Sequence, residues 1–320
     1  VDVAAKNGLT HAVQKVADTQ GGHQQRRAFL VDQVAQSQAF DQPGRGEAAD
    51  RVGGDETQAR PAGDLGDPNK TLPGGAQASS GLIPAVLALL AEADMPLASL
   101  DAIVFGRGPG SFTGLRTACA VAQGLAFGAD VPVLPIDTLL AVAEEARWAQ
   151  VQAGVMPPDA DLTVLALLDA RMDEVYSAAY RWHAAAGSAQ GRWQEASPLQ
   201  VGPPEQVRMP SGPSVLLAGN AFAAYGERLP GGLGHGPNHG QTDGLQNDLP
   251  IRPRCEALPT ASALLRLAPD VWAQGLAVPA DQAMPLYIRD KVAHTTAERE
   301  AMKTQALAAK SALAKAAGQP

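Results

Sequence analysis

Apolar positions recur along this chain with two different spacings, and these spacings predict alternating helices and strands. In residues 80–93 the apolar side chains return every three or four positions, as on one side of a helix. Short apolar runs at residues 101–105 and 131–136 predict buried strands, and a second apolar helix at residues 113–127 separates them. A third helix follows and ends near Trp148. This order of helix, strand, helix, strand and helix indicates an α/β fold.

The second half of the chain has a pattern that is richer in strands. The apolar run at residues 162–168 predicts a strand, residues 171–174 predict a turn, and residues 175–182 predict a returning strand, so the three form a hairpin. A further strand at residues 214–218 leads into a helix, and another helix is expected around residues 260–267. Strands and helices in this order again indicate an α/β unit.

Changes in composition divide the chain into four segments. The first, residues 1–70, is rich in turn-forming and charged residues and holds only two aromatic side chains, Phe29 and Phe40. It cannot bury much apolar surface, so we expect it to be atypical, low in complexity and mostly disordered, with a weak helix at residues 28–39. A linker is predicted at residues 150–158. The other segments are a first α/β subdomain at residues 71–155, a second at residues 156–298 and a solvated helical tail at residues 299–320.

Charge and cysteine content narrow the class of protein. The 320 residues carry a formal net charge of -8 and a pI of about 5.2, which does not favour unaided binding to a phosphate backbone. Cys119 and Cys255 lack the spacing of a disulfide framework or a zinc knuckle, so we expect both to be reduced. No apolar run reaches the roughly 18 residues that span a bilayer, and the first residues lack the apolar core of a signal peptide. The chain is therefore expected to be cytoplasmic.

A glycine-rich loop follows the first predicted strand, at residues 106–116. Such a turn exposes backbone N–H groups at the start of a helix, which makes a ready site for an anion. Alternatively, the glycines only make the turn, and Ser111 or Thr113 caps the helix. The loop has no Walker lysine and no dinucleotide-binding context. Arg107 and Arg116 either hold an anion or form ion pairs, and both interpretations stay open.

Three stretches of the sequence resemble one known family. They are FGRGPGSFTGLRTACAVAQGLAFGADVPVLPIDTL at residues 105–139, LLDARMDEVYSAAY at 167–180 and MPLYIRDKVAHTT at 284–296. Together with GGAQASSGLIPAVLALL at residues 74–90, they are similar to the TsaB (YeaZ) family over roughly residues 71–298. The resemblance implies an actin-like, Hsp70-like ATPase fold, the ASKHA fold, with two subdomains.

The resemblance also implies a function without catalysis in this chain. As in the family, the chain would be the dimerisation and scaffold subunit of the machinery that adds threonylcarbamoyl to the adenosine next to the anticodon of tRNA. The implied partners are the catalytic TsaD subunit, in a heterodimer, and the ATPase TsaE in a larger complex. Contact with tRNA would be indirect, a homodimer is expected when the chain is alone, and no membrane is involved. The alternatives are a free-standing phosphotransferase or hydrolase of the same fold, or a copy inactivated by an altered amino end.

The amino end departs from the family pattern. The family opens with a strand followed by Asp-Thr-Ser, and residues 1–70 contain no such opening. We therefore expect the amino-terminal strands of the first sheet to be missing or replaced. This departure puts a nucleotide site in doubt.

Candidate catalytic and metal-binding groups are few. In TsaD the metal-binding histidines follow the strand that matches residues 131–136, whereas residues 137–142 of this chain contain no histidine. His235 and His239 are four positions apart, but a glycine and a proline between them prevent a shared helix face. We expect no catalytic residue, no cofactor and no metal. Carboxylates flank the predicted hairpin turn, as acid/base groups or as parts of a solvated turn, and these are Asp169, Asp173 and Glu174.

Two predicted helices, at residues 80–93 and 113–127, are poor in charge, since Arg116 is the only charged residue of the second. A helix that covers one face of a sheet should show a polar side to water. We therefore expect part of this pair to pack against the equivalent helices of TsaD in an intermolecular helix bundle, while other parts pack on the chain's own sheet. The positions predicted for the partner contact are Leu82, Val86, Leu89, Gly114, Ala118, Ala122 and Ala126.

Overall fold

A computed structural model of the chain describes residues 8–16, 26–31, 70–73, 78–184, 191–210, 215–230 and 253–289, and for 8–16, 26–31, 70–73 and 78–80 it describes the backbone alone. The chain up to Leu286 forms one compact unit, and a second unit begins at Tyr287. The predicted helical tail at residues 299–320 lies outside the described residues. Among the helices of the described parts, none has both the length and the apolar character needed to cross a membrane.

The first half of the chain builds one five-stranded sheet with helices. Its elements are β1 (Gly8–Val16), β2 (Arg26–Val31), β3 (Lys70–Pro73), α1 (Ala78–Glu92), β4 (Ala102–Gly108), α2 (Phe112–Ala129), β5 (Val133–Asp137) and α3 (Thr138–Gln152). The strands lie in the order β3-β1-β2-β4-β5. Strands β2, β4 and β5 run parallel, while β1 is antiparallel to both of its neighbours. From α1 to α3 the elements follow the order that the apolar spacing predicts.

Strands β1, β2 and β3 show that the amino-terminal strands are replaced rather than missing. β2 takes the place beside β4 and runs parallel to it, with Phe29 opposite Ile103. The prediction of a weak helix at residues 28–39 is wrong over residues 28–31, which lie in β2. The prediction that residues 1–70 are mostly disordered is wrong for the residues that form these three strands. A four-residue apolar run is too short for a helix, but it makes a strand once β4 supplies ladder hydrogen bonds. The rest of residues 1–69 lies outside the described residues, so disorder there stays a prediction.

The second half of the chain builds a second five-stranded sheet. Its elements are β6 (Leu162–Arg171), β7 (Glu174–Ala184), β8 (Gly191–Gly202), β9 (Val215–Gly219), α4 (Ala221–Tyr225), β10 (Arg254–Glu256) and α5 (Ala261–Ala273). The strand order is β10-β9-β6-β7-β8, with β6 antiparallel to β7 and parallel to β9. The predicted hairpin is confirmed, because its two strands are parts of β6 and β7.

Strand β4 serves a separate core on each face of the first sheet. Its side chains alternate, so that Ile103 and Phe105 join the core beneath α1 and α2, whereas Ala102 and Val104 face the core formed with α5. Helix α5 comes from the second half of the sequence. The strands of the first sheet therefore precede the boundary predicted between residues 155 and 156, and those of the second sheet follow it. Helix α5 nevertheless follows this boundary in the sequence and packs on the first sheet.

Candidate functional site

The glycine-rich loop is fastened to the chain on two sides. Gly108 has a φ of 126°, a backbone conformation that favours glycine, and the peptide bond to Pro109 is cis. The Leu286 N–H donates a hydrogen bond to the carbonyl oxygen of Arg107 at 2.7 Å. The hydroxyl of Thr138, in the first turn of α3, donates to the carbonyl of Pro109. These contacts fix the path of the chain from β4 into α2.

The side chain of Arg107 forms an ion pair with another residue of the same chain. Its Nε donates to Oδ1 of Asp137 at 2.5 Å, and the pair lies at the carboxyl ends of the neighbouring strands β4 and β5. Ser111 is the N-cap residue of α2 but makes no side-chain capping hydrogen bond, so the predicted capping by this hydroxyl is wrong. An arginine already neutralised by an aspartate favours the interpretation that the loop is a structural turn, rather than an anion cradle.

The seven residues predicted to contact a partner are buried in the chain's own core. The six with a side chain are at most 4% exposed, and Gly114 is buried as well. They pack beneath α1 and α2 against the first sheet, where they have no surface to offer. This burial corrects the residue choice, because apolar and small side chains surround both helices and spacing alone does not tell the inner from the outer side. The residues that were predicted for the partner contact and lie in the chain's own core instead are Leu82, Val86, Leu89, Gly114, Ala118, Ala122 and Ala126.

The outer sides of the same two helices are also largely apolar. Ile83 and Leu87 on α1 are 45% and 50% exposed, and Phe112 and Phe127 on α2 are 45% and 85% exposed. Both helices rest on one core, so their outer sides belong to the same side of the first sheet. We call this surface the open face and define it by its residues, which are Ile83, Leu87, Phe112, Arg116, Ala120, Gly124, Phe127 and Gly128.

Two glycines of the open face lie in helix α2 without any local reason for glycine. A β-carbon added to Gly124 or to Gly128 would meet no atom within 4 Å. Glycine inside a helix costs about 1 kcal/mol relative to alanine. With Ala120 they form an exposed row of small residues at every fourth position. Small residues in such a row let another backbone approach closely.

Arg116 is the one charged residue of α2. Its guanidinium carbon lies 3.8 Å from the centroid of the Phe112 ring, which is a cation–π contact. The guanidinium therefore covers part of the Phe112 ring, and the Phe112 side chain is 45% exposed. The sequence left open whether Arg116 binds an anion or forms an ion pair, and the structure adds this contact with an aromatic neighbour.

The carboxylates of the β6–β7 turn are engaged in contacts within the chain. Asp169 accepts a hydrogen bond from the Tyr225 hydroxyl at 2.9 Å and pairs with Arg171 at 3.0 Å. Asp173 pairs with Arg228 at 3.0 Å. Burial, and after it the hydrogen bond to Asp169, raises the pKa of Tyr225 to about 12. These contacts favour a structural turn over an acid/base pair.

Metal-binding and nucleophilic groups are scarce among the described residues. No group of three or more His, Cys, Asp or Glu side chains there has the proximity to hold a metal ion. His235 and His239 lie outside the described residues. Burial raises the pKa of the Cys119 thiol, which is 4% exposed and donates to the carbonyl of Ala283 at 3.3 Å. Cys119 and Cys255 are both free, as predicted.

Comparison with known proteins defines the class. The family profile described as "TsaD: tRNA N6-adenosine threonylcarbamoyltransferase" matches residues 75–297. A solved structure, "YeaZ from Pseudomonas aeruginosa", is 35% identical with a TM-score of 0.52, and the match covers 69% of this chain and 87% of that chain. With its two α/β halves and the glycine turn between β4 and α2, the chain is a protein of the actin-like ASKHA class.

Named relatives narrow the class to one family. The chain is 34% identical over 214 residues to "tRNA threonylcarbamoyladenosine biosynthesis protein TsaB" of Haemophilus influenzae, a match that covers 66% of this chain and 79% of that protein. The protein of the same name from Escherichia coli is 32% identical over 216 residues, with coverage of 66% and 80%. The chain belongs to the TsaB family, which confirms the resemblance seen in its motifs.

Proposed function

We propose that this chain is the dimerisation and scaffold subunit of a tRNA threonylcarbamoyladenosine modification complex. Membership of the TsaB family supports the pathway, because the relatives in Haemophilus influenzae and Escherichia coli are named for the biosynthesis of that nucleoside. The chain pairs with a TsaD-type catalytic subunit and supports its activity. It supplies no catalytic residue, cofactor or metal, and at the place of the TsaD metal histidines it has residues 137–142, which contain none.

The open face is the observation that carries this proposal. Of the nine large apolar side chains that are exposed among the described residues, four lie on α1 and α2, and these are Ile83, Leu87, Phe112 and Phe127. Covering them with a partner removes apolar area from water, which is worth about 25 cal/mol per Å². A partner interface of ordinary size buries on the order of 1,600 Å² in total.

The row of small residues suits a partner helix in particular. Ala120, Gly124 and Gly128 leave a shallow strip along α2, and Phe127 stands beside it. A helix of the partner that lies in this strip can bring its backbone close to α2, while Phe127 packs against its side chains. The glycines then have a function that outweighs their cost to the isolated helix.

The remaining partners follow from the same assignment. A TsaE-type ATPase joins the larger complex, and the TsaD-type subunit holds the tRNA, since a chain of net charge -8 is a poor binder of phosphate backbones. In the absence of TsaD the open face pairs with a second copy of the chain. The setting is the cytoplasm, where tRNA is modified.

The proposal is tested by placing a charge in the strip. Ala120→Arg puts a long cationic side chain into the path of the partner helix, and Ala120 is exposed, so the fold of the isolated chain is preserved. We expect binding of the TsaD homologue from the same genome to weaken by about 30-fold or more, the factor for losing a hot spot of about 2 kcal/mol. Isothermal titration calorimetry measures this affinity.

Ala149→Arg is the matched control, because Ala149 is an exposed alanine of helix α3 outside the open face. It should bind the TsaD homologue with native affinity. Equal affinities for Ala120→Arg, Ala149→Arg and the native chain would show that the partner does not use the open face.

A further inference from the structure

A buried ion cluster lies among α3, α5 and β8. Glu144 is 2% exposed, and its carboxylate accepts hydrogen bonds from both Nε and a terminal nitrogen of Arg147, at 2.8 and 3.0 Å. The same carboxylate accepts from Arg266 Nε at 2.9 Å and from Trp193 Nε1 at 3.1 Å. Glu145 accepts from Arg266 at 2.5 Å, so the two glutamates balance the two arginines.

The cluster joins elements that belong to the two different sheets. Helix α3 packs against strands of both sheets and brings Glu144 and Arg147, while helix α5 packs on the first sheet and brings Arg266. Trp193 belongs to β8 of the second sheet, and its ring lies 5.3 Å from that of Trp182 in β7. The guanidinium of Arg147 stacks over Trp182 at 4.1 Å. Glu144 therefore accepts hydrogen bonds from Arg266 of α5 and from Trp193 of the second sheet, and Arg147 lies over Trp182 of the second sheet.

Buried charges of this kind select one geometry. A buried carboxylate tolerates its environment only while its donors stay in place, and withdrawal of one donor leaves an uncompensated charge in a medium of low dielectric constant. Such pairs add little net stability compared with apolar residues, but they penalise alternative arrangements. If α3 stayed with the first sheet, rotation of the second sheet would withdraw Trp193 from Glu144 and Trp182 from Arg147. If α3 moved with the second sheet, the rotation would withdraw Arg266 from Glu144. The cluster opposes that rotation from both sides.

We propose that the Glu144 cluster is a lock that fixes the angle between the two sheets, so that the chain works as a rigid body. The two halves of this chain do not open and close on each other. The open face is then presented in one fixed orientation relative to the second half. The lock does not depend on the identity of the partner.

A distance measurement across the two halves tests the lock. Ala98 and Ala196 are exposed residues of the first and second halves, and Ala98→Cys with Ala196→Cys places one spin label on each. Cys255→Ser removes the partly exposed thiol, while Cys119 is buried and stays. The native background should give one narrow distance distribution by double electron–electron resonance. A broad native distribution would overturn the proposal.

Two variants separate the lock from general stability. Glu144→Gln keeps the shape and removes the charge, and Trp193→Phe keeps an aromatic ring and removes one donor. Each should add a second, longer distance while the circular dichroism stays native, whereas Glu227→Gln, at an exposed carboxylate of the second half, should add none. Folded Glu144→Gln and Trp193→Phe with the native distribution would overturn the lock. If Glu144→Gln fails to fold, Trp193→Phe alone decides.

Discussion

Gly108 lies so close to Leu286 that a β-carbon on Gly108 would sit 2.6 Å from the Leu286 carbonyl oxygen. The φ of Gly108, 126°, is also one that residues with a side chain rarely adopt. The loop between β4 and α2 thus depends on this glycine for both its conformation and its contact with Leu286. We expect Gly108→Ala to lower the free energy of unfolding by about 2 kcal/mol or more, measured by urea denaturation.

Gly110→Ala is the control for that substitution. A β-carbon at Gly110 would meet only the Leu115 side chain, at 3.6 Å, which is an ordinary contact. The free energy of unfolding of the Gly110→Ala variant should stay within about 0.5 kcal/mol of the native value. Equal stabilities for Gly108→Ala and Gly110→Ala would show that the approach of Leu286 does not constrain the loop.

Gly124→Ala should make the isolated chain more stable. The added methyl meets nothing within 4 Å, and alanine is the better helix former by about 0.5–1 kcal/mol. The same methyl narrows the strip along α2, so binding of the TsaD homologue should weaken. Thermal unfolding measures the stability of the variant, and calorimetric titration measures its affinity for the TsaD homologue. A variant that gains stability and keeps full affinity would show that Gly124 does not serve the approach of a partner helix.

The raised pKa of Tyr225 should make the free energy of unfolding fall as the pH rises above about 10. Its pKa is about 12 in the folded chain, while an unfolded tyrosine loses its proton near pH 10. The contribution of Tyr225 to the free energy of unfolding is complete below about pH 10. It is lost as the pH rises from about 10 to about 12, because in this interval the tyrosine ionises only in the unfolded state. Urea denaturation from pH 8 to about pH 11 should show a shallower fall for Tyr225→Phe than for the native chain. Parallel curves would contradict this assignment.

The purified chain should hydrolyse neither ATP nor peptides above background. The acid/base candidates Asp169 and Asp173 are paired with Arg171 and Arg228, and Asp137, beside the glycine-rich loop, is paired with Arg107. Turnover is measured with radiolabelled ATP and a mixed peptide substrate. Activity that persists through purification and disappears in Asp137→Asn or Asp169→Asn would favour the phosphotransferase or hydrolase alternative.

Much of the fold follows from local spacing in the sequence. Strand β4, helix α2 and strand β5 follow from two short apolar runs on either side of a helical pattern, and the β6–β7 hairpin follows from an apolar run and its return. Strands β1, β2 and β3 were missed, because the pairing of β2 with β4, of β1 with β2 and of β3 with β1 is a tertiary effect that the polar composition of residues 1–70 conceals.

Sequence analysis predicted a partner contact on helices α1 and α2, which stays a prediction, but it did not single out the residues of the open face. Apolar and small side chains run around the whole of α2, so its inner residue Ala122 and its outer residue Ala120 look alike in the sequence. The Glu144 cluster was missed for a different reason. Its members Arg147, Trp193 and Arg266 come from three separate elements, and only the fold brings them to one carboxylate.

The central claim is tested most directly by reconstituting the modification of tRNA. The reaction contains the TsaD and TsaE homologues from the same genome, threonylcarbamoyl adenylate and unmodified tRNA, with or without this chain. Mass spectrometry of the digested tRNA measures threonylcarbamoyladenosine. The account predicts product when the native chain is present, little without it, and little with Ala120→Arg. Equal product with and without the chain would contradict the account.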